Sequence, residues 1–183
     1  MPEKKPQLRM VISNYDHLPE LNLPNGYIKS DLAKRTEMEW IEVLNSTAQL
    51  GVWDHEKANN WLDRPRPINP EGTTIIIFKN RPIATACTIS PSEEEPRSEV
   101  GWVAVSPEHQ GKGLGYQTVL SVLLFAKKMN YPETYLNTDD WRTPAIRTYL
   151  SLGFKPEIIA DNQVERWSKI LSNIDETKEV QTK

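Results

Sequence analysis

Cysteine is almost absent from this sequence: Cys87 is the only one in 183 residues. A single cysteine cannot form a disulfide within the chain. It lies in A-T-A-C-T-I, a segment typical of a strand, so we expect a buried thiol that packs as a small hydrophobic group rather than a nucleophile. This cysteine usage favours a reducing, cytoplasmic setting.

Long apolar runs and basic patches are also missing. No stretch approaches the roughly 20 apolar residues of a membrane-spanning helix, and the charged start at residues 1–10 lacks the apolar core of a signal peptide. Lys and Arg number 22 against 25 Asp and Glu, for a formal net charge of −3. We therefore expect no membrane association and no nucleic-acid partner.

Glycine is scarce and unevenly distributed. The chain has only eight glycines, yet Gly111, Gly113 and Gly115 fall within five residues of V-S-P-E-H-Q-G-K-G-L-G-Y-Q, residues 105–117. Glycine costs conformational entropy on folding and adds no side chain to the core. The cluster therefore indicates that something must approach the backbone closely at this point.

Strand and helix patterns follow one another along the chain. Strand patterns cover 26–30, 73–78, 82–89, 99–105 and 133–138, and residues 154–159 are expected to be extended. Helical spacing covers 31–50, 56–62, 116–129, 144–152 and 164–170, with Gly153 ending the fourth helix. This order predicts an α+β domain with a mixed sheet. We expect an N-terminal arm or linker (1–24), one domain (25–172) and a disordered tail (173–183).

The glycine loop follows a predicted strand and opens a predicted helix. Free N–H groups and the helix dipole favour an anion at such a point, and glycines let a phosphate come close. Lys112 adds a charge at the rim and Gln110 a donor. The alternative is a tight turn that only packs the helix onto the sheet. A P-loop does not fit, because Gly113 follows Lys112 where Ser or Thr is needed, and the Rossmann spacing fits poorly, although Asp139 ends the next strand.

Two segments carry a family resemblance. Gln110-Gly111-Lys112-Gly113-Leu114-Gly115 resembles the pyrophosphate motif Q/R-x-x-G-x-G/A of the GNAT superfamily of acetyl-CoA-dependent N-acetyltransferases. A-I-R-T-Y-L-S-L-G-F, residues 145–154, resembles the family's A-x-x-x-Y-x-x-x-G-F segment. The detailed resemblance covers 99–156. It implies a mixed, mostly antiparallel central sheet flanked by helices, with a splay between the two central strands.

The resemblance also implies a co-substrate, acetyl-CoA, whose pantetheine lies between strands 100–105 and 135–138. No metal is implied, and His17, His55 and His109 do not form a metal-binding constellation. The residues expected to contact acetyl-CoA are Val103, Ala104, Val105, Gln110, Gly111, Lys112, Gly113, Leu114, Gly115, Tyr116 and Thr138.

Two residues match catalytic positions of the family. Tyr149, four residues before Gly153, matches the tyrosine that protonates the coenzyme A sulfur, and its alternative role is a core aromatic. Glu99, at the start of its strand, is nominated as the base, and its alternative is a solvated carboxylate beside Arg97. One position departs from the family: Arg142 stands where many relatives have asparagine. The ending departs too, because residues 165–171 read as helix where a final strand is expected.

The acceptor is the least determined partner. The resemblance places it near 31–70, where Trp53, Asp54 and His55 line a pocket or, as we favour, form a helix–helix corner. We expect acetyl transfer to a primary amine of a small molecule or peptide by direct attack. The alternatives are a non-catalytic acyl-CoA-binding or sensing domain and a nucleotide- or dinucleotide-binding domain of another kind. The region of the second motif also resembles, more loosely, the acetyltransferase of mycothiol synthesis. A homodimer remains open.

Overall fold

The sheet and helices follow the predicted order. The computed structural model describes residues 5–181, with side chains for 5–174. Within these residues, seven strands form one sheet: β1 (Leu8–Ile12), β2 (Tyr27–Asp31), β3 (Ile68–Phe78), β4 (Arg81–Ile89), β5 (Ser98–Val105), β6 (Thr134–Thr138) and β7 (Lys155–Glu157). The helices there are α1 (Glu37–Asn45), α2 (His55–Leu62), α3 (Leu114–Lys128), α4 (Thr143–Ser151) and α5 (Gln163–Gln181).

The topology confirms the predicted fold class. The strand order is β2-β3-β4-β5-β6-β1-β7, and every neighbouring pair is antiparallel except β5 with β6. Apolar side chains occupy most of the circumference of α3, which packs on one face of the sheet, while α1 and α2 cover the other. This arrangement holds the glycine loop at the end of β5, where α3 begins.

The N-terminal segment departs from our expectation of an arm or linker. β1 pairs antiparallel with β6 on one side and with β7 on the other, so it is an internal strand of the sheet. Leu8, Met10 and Ile12 alternate with less buried residues and reach the core below α3. Their period of two fits a strand that buries one face, which explains why residues 8–12 join the sheet.

The helix predicted over 31–50 is divided. α1 begins at Glu37 because Thr36 and Glu39 form a capping box, in which the Glu39 N–H donates to Thr36 Oγ1 and the Thr36 N–H donates to Glu39 Oε2. Short 3₁₀ turns at Leu32–Lys34 and Ala48–Leu50 flank it. The apolar spacing predicted a helix in the right region, but the cap sets where it starts.

The last helix is longer than predicted. α5 continues through residues 173–181, which we expected to belong to a disordered tail; residues 182–183 lie outside the described part. Trp167, Ile170 and Ile174 are buried and follow helical spacing. These side chains form one apolar stripe against the core, and the stripe carries the helix past the point where the composition becomes polar.

Gly153 is a position where the fold requires glycine. Its φ is +95°, and an added Cβ would lie 2.5 Å from Nε2 of His17. We expect Gly153→Ala to lower the free energy of unfolding by about 2–3 kcal/mol, because left-handed strain and a steric clash add. Urea unfolding measures the loss. Gly111→Ala is the matched control, since Gly111 has a φ of +74° and no heavy atom within 4 Å of the added Cβ. An equal loss in both variants would exclude the clash with His17.

Candidate active site

β5 and β6 are neighbours only at their beginnings. Their parallel pairing covers Ser98 with Thr134, Glu99 with Tyr135 and Val100 with Leu136. Beyond Val100, β5 remains paired with β4 and β6 remains paired with β1. The two strands therefore separate, and within the described sheet this edge of β5 has no strand beside it. The predicted splay is confirmed.

A β-bulge in β5 accompanies the separation. Between the pairs Thr85–Ala104 and Cys87–Gly101, β5 contains one residue more than β4. Trp102, inside the bulge, has a φ of +51°, which is rare for a bulky side chain. Such strain persists only where surrounding contacts impose it, and it concentrates at functional sites.

The glycine loop presents bare backbone. Gly111 and Gly113 have φ values of +74° and +75°, and an added Cβ on either would meet no heavy atom within 4 Å. Gly113 is the N-cap of α3, and no side chain caps the helix there. Main-chain N–H groups at this helix start are therefore open to an anion, and the residues present fit a phosphate group.

Two polar side chains of the loop brace it. Gln110 Nε2 donates to the carbonyl oxygen of Val105 at 3.1 Å, and Lys112 Nζ donates to the carbonyl oxygen of Glu108 at 3.0 Å. These bonds tie the loop to the end of β5 and to the turn that precedes the glycines. The Lys112 side chain does not line the cavity beside the loop.

A cavity of about 630 Å³ lies between the glycine loop and α4, and we call it the loop cavity. Tyr149, on α4, closes one side of it. The other predicted residues that line it are Val103, Val105, Gln110, Gly111, Gly113, Leu114, Gly115 and Tyr116. Residues that sequence reasoning missed are Gln49, Trp141, Pro144, Ala145 and Thr148. Arg142, noted in the sequence as a departure from the family, also lines the cavity. Trp141 precedes it directly and could have been found from the same segment, whereas Gln49 is distant in sequence.

Besides Lys112, two predicted contacts are not brought to this cavity. The side chains of Ala104 and Thr138 are buried and line no part of it. Ala104 packs with the core on the α1 and α2 side of the sheet. The alternation of side chains along a strand accounts for this, since Val103 and Val105 point to the other side.

A smaller cavity of about 330 Å³ lies beside the first, and we call it the side cavity. Glu99 lines it together with Trp61 and Trp102 from α2 and β5. The two cavities share four lining residues: Gln49, Val103, Arg142 and Tyr149. Tyr149 therefore stands where the two cavities meet.

Tyr149 is a buried phenol at this junction. Only 7% of the residue is exposed. Burial raises the pKa of its phenol to about 12, and the positive charge of Arg142 acts in the opposite direction. The hydroxyl therefore carries its proton throughout the neutral and mildly alkaline range.

Glu99 is held by three side chains. Tyr135 Oη donates to Glu99 Oε2 at 2.9 Å, and Asn137 Nδ2 donates to Oε1 at 3.1 Å. Arg66 lies 3.9 Å from Oε2 and donates to Tyr135 Oη at 2.8 Å. Burial raises the pKa of Tyr135. The carboxylate is thus oriented toward the side cavity.

Arg97, two residues before Glu99 in the sequence, does not pair with it. Its guanidinium instead pairs with Glu95, Glu133 and Glu157 at 2.8, 3.2 and 3.1 Å. These bonds hold the pKa of Glu95 at about 2. Arg97 therefore belongs to an ion-pair network at the start of β5 and leaves Glu99 to its other partners.

The acceptor residues suggested at 53–55 lie elsewhere. Asp54 caps α2, accepting from the Lys57 N–H at 2.8 Å, and Trp53 is buried in the core. His55 Nδ1 lies 3.1 Å from Glu37. None of the three lines either cavity, so the helix–helix corner is the better description.

The remaining candidate groups have structural surroundings. Cys87 is buried, and burial raises the pKa of its thiol to about 12. His109 lines the loop cavity, and its Nδ1 lies 2.9 Å from Tyr27 Oη. In the described part of the chain no cluster of three or more His, Cys, Asp or Glu side chains is placed to hold a metal ion. None of the helices found there has the length and apolarity to cross a membrane.

Comparisons with known sequences agree with this geometry. A family model described as the acetyltransferase (GNAT) family matches residues 37–154. Mycothiol acetyltransferase of Thermomonospora curvata is 32% identical over 149 residues, which cover 75% of this chain and 47% of that protein. Human N-acetyltransferase 8B is 37% identical over 65 residues, covering 36% of this chain and 29% of that protein. The chain spans about half the length, or less, of these relatives.

Solved structures share the fold. A GCN5-related N-acetyltransferase from Sphaerobacter thermophilus superposes with a TM-score of 0.68 at 16% identity, over 84% of this chain and 50% of that one. Arabidopsis thaliana Naa50, solved with the bisubstrate analogue CoA-Ac-MVNAL, gives 0.58 at 17% identity, over 71% of this chain and 83% of that one.

Proposed function

The chain belongs to the acetyltransferase (GNAT) family, and from this premise we propose that it transfers an acetyl group from acetyl-CoA to a primary amine of a small molecule or peptide by direct attack. The observation that carries the proposal is the junction of two cavities at a buried, protonated tyrosine. One cavity contains an anion-binding loop and the other a carboxylate. A reaction between two bound substrates needs this arrangement, with one substrate on each side of the junction.

The loop cavity suits acetyl-CoA. The open backbone from Gly111 to Gly113, at the start of α3, would hold the pyrophosphate, with the loop braced by Gln110. Pantetheine carries amides, which can pair with the free edge of β5 near Val103 and Val105 much as an added strand would. The thioester that acetyl-CoA supplies would then lie close to Tyr149.

The side cavity suits the attacking amine. An alkylammonium has a pKa of about 10, so it must lose a proton before its nitrogen can attack at neutral pH. Glu99 accepts this proton, directly or through an intervening water, because its carboxylate lines the cavity and is fixed by Tyr135 and Asn137.

The remaining steps balance as follows. The amine nitrogen forms a bond to the acetyl carbon while the carbon–sulfur bond breaks. The departing sulfur takes its proton from the Tyr149 hydroxyl. The nitrogen, which carries two protons when it attacks, releases one of them to water as the amide forms. Glu99 then loses its proton to solvent and Tyr149 regains one from it, so that one proton is released overall. The products are the N-acetylated amine and coenzyme A. Arg142, at the junction, bears positive charge near the site where negative charge develops.

Ligand-induced stabilisation tests the co-substrate directly. Acetyl-CoA at 100 times its Kd should add about 2.7 kcal/mol to the free energy of unfolding, a rise in Tm of about 5–10 °C for a chain of this size. NAD and ATP should give no comparable rise. Release of free thiol from acetyl-CoA, dependent on added amine, then tests turnover. Stabilisation without thiol release with any amine would support a non-catalytic acyl-CoA-binding domain instead.

Gly113→Ala tests the contribution of the glycine loop to acetyl-CoA binding separately from that of the rest of the cavity. The added methyl would stand in the open space before the first turn of α3. We expect the Kd for acetyl-CoA to rise at least about tenfold, because the methyl obstructs the approach of a phosphate to the amides. Gly51→Ala is the control, since Gly51 has a comparable φ of +71° and lines neither cavity. Calorimetric titration measures the Kd for acetyl-CoA of both variants. An equal Kd in the two would show that the loop is not part of the binding site.

A further inference from the structure

The lining of the side cavity combines apolar side chains with a larger exposed polar surface, to which Glu99, Arg142 and three amides contribute. Glu99 is the only acidic residue in the lining, and Gln7, Asn137 and Gln49 contribute amides. The apolar residues of the lining are Leu50, Trp61, Ile89, Val100, Trp102 and Val103. The carboxylate suits an amine, and the indoles of Trp61 and Trp102 offer flat apolar surface, so an occupant can present an amine to Glu99 and a flat face to these two rings.

The two tryptophans of this cavity are anchored in the core. The ring centroids of Trp61 and Trp102 lie 4.9 Å apart, edge to face, and those of Trp102 and Trp53 lie 4.6 Å apart. Trp53 in turn contacts Trp40 at 5.2 Å, and both are at least 98% buried. Edge-to-face contacts of this kind fix ring orientation. The cavity thus has a pre-organised aromatic wall, and the strained bulge at Trp102 is part of it.

Two cations, Arg64 and Lys57, pack on the tryptophan rings without lining the cavity, and a third, Arg142, lines it. The Arg64 guanidinium lies 4.0 Å from the centroid of the Trp61 ring, and Lys57 Nζ lies 4.3 Å from that of Trp53 and 5.8 Å from that of Trp102. Arg142 stands at the junction with the loop cavity. A second positive charge on an acceptor in this cavity would approach Arg142, and like charges repel.

We propose that the acceptor is a small primary monoamine in which a short linker joins the nitrogen to a flat, aromatic body. Glu99 receives the amine, and the indoles of Trp61 and Trp102 pack against the ring. Diamines are disfavoured by Arg142, the cation in the lining, and a hydroxyl-rich body offers the two indoles no flat face to pack against. This inference rests on the proposed acetyl transfer and adds the substrate class.

Steady-state acetylation of three amines tests it. The full chain is assayed with acetyl-CoA and 2-phenylethylamine, 1,4-diaminobutane or glucosamine. We expect kcat/KM for 2-phenylethylamine to exceed the other two by at least about tenfold, the scale of a buried aromatic contact.

Substitutions at Trp61 test whether the preference for the aromatic amine depends on this indole. Trp61→Ala should raise KM for 2-phenylethylamine by about 10- to 100-fold, with kcat nearly unchanged, because ring contacts act in binding rather than in proton transfer. Trp61→Phe retains a ring and should recover most of the affinity; it also serves if the alanine variant folds poorly. Val52→Ala is the control, since Val52 is exposed and lines neither cavity.

The outcomes are distinct. A preference for glucosamine or diaminobutane, equal rates with all three amines, or an unchanged KM in Trp61→Ala would overturn the substrate class and leave acetyl transfer standing. Stabilisation by acetyl-CoA with no thiol release for any amine would overturn the proposed function, and the substrate class with it.

Discussion

Tyr149→Phe is expected to lower kcat by about 10²- to 10⁴-fold, the range typical for loss of a general acid, while the Kd for acetyl-CoA changes less than about threefold. The substitution removes only the hydroxyl. The ring remains and keeps its packing at the junction of the two cavities, where it contacts Phe154. Thiol release under saturating acetyl-CoA and amine measures kcat, and calorimetry measures binding.

The pH dependence of the wild type gives a second readout of the same group. Because burial raises the pKa of Tyr149 to about 12, the hydroxyl stays protonated as the pH rises from 7 to about 10. We therefore expect no alkaline fall in kcat from this residue over that range. Tyr131→Phe is the control for Tyr149→Phe and should leave kcat unchanged, since Tyr131 packs against Phe125 and lines neither cavity. Full activity in Tyr149→Phe would show that this tyrosine is a core aromatic and not the general acid.

Local motifs in the sequence predicted most residues that line the loop cavity. The glycine loop and Tyr149 were located because each depends on spacing within one segment: a loop at a helix start, and a residue four positions before a helix-ending glycine. The capping box at Thr36 and Glu39 was also present in the sequence, and reading it would have divided the helix predicted over 31–50.

The side cavity, in contrast, depends on contacts between segments that are distant in the sequence. The side cavity assembles Trp61, Glu99 and Asn137 from α2, β5 and β6, and no spacing within any one segment relates them. The partners of Glu99 depend on the register that sets it beside Tyr135. The same holds for β1, whose alternating residues are consistent with either a peripheral arm or an internal strand. Strand order is a property of the whole sheet.

Glu99→Gln is expected to lower kcat/KM for the amine by about 10²- to 10³-fold at pH 7, the range of a lost general base. The thermal stabilisation by acetyl-CoA should be unchanged, since Glu99 lines the side cavity and not the loop cavity. Glutamine keeps the shape of the side chain and one of its acceptor oxygens, but it cannot take a proton at neutral pH.

The control is a carboxylate in a similar position with no access to either cavity. Glu133→Gln serves, because Glu133 lies at the start of β6 and pairs with Arg97 at 3.2 Å. It should cost little activity, since exposed or half-exposed ion pairs contribute about 0–1 kcal/mol to stability. Similar losses in the two variants would mean that the ion-pair network, rather than a base, is being disturbed.

A pH series distinguishes a base from a residue that only shapes the cavity. As the pH approaches the amine's own pKa of about 10, the neutral amine is supplied by the solvent and the enzyme's base becomes dispensable. The ratio of the wild-type kcat/KM to that of Glu99→Gln should therefore become smaller as the pH rises from 7 to 9.5. If the substitution changed only the shape of the cavity, kcat/KM would be lowered by the same factor at every pH, because deprotonating the amine does not restore its position. A constant deficit would thus move the role of base from Glu99 to another group, and Tyr135 and Arg66 would then be partners of a structural carboxylate.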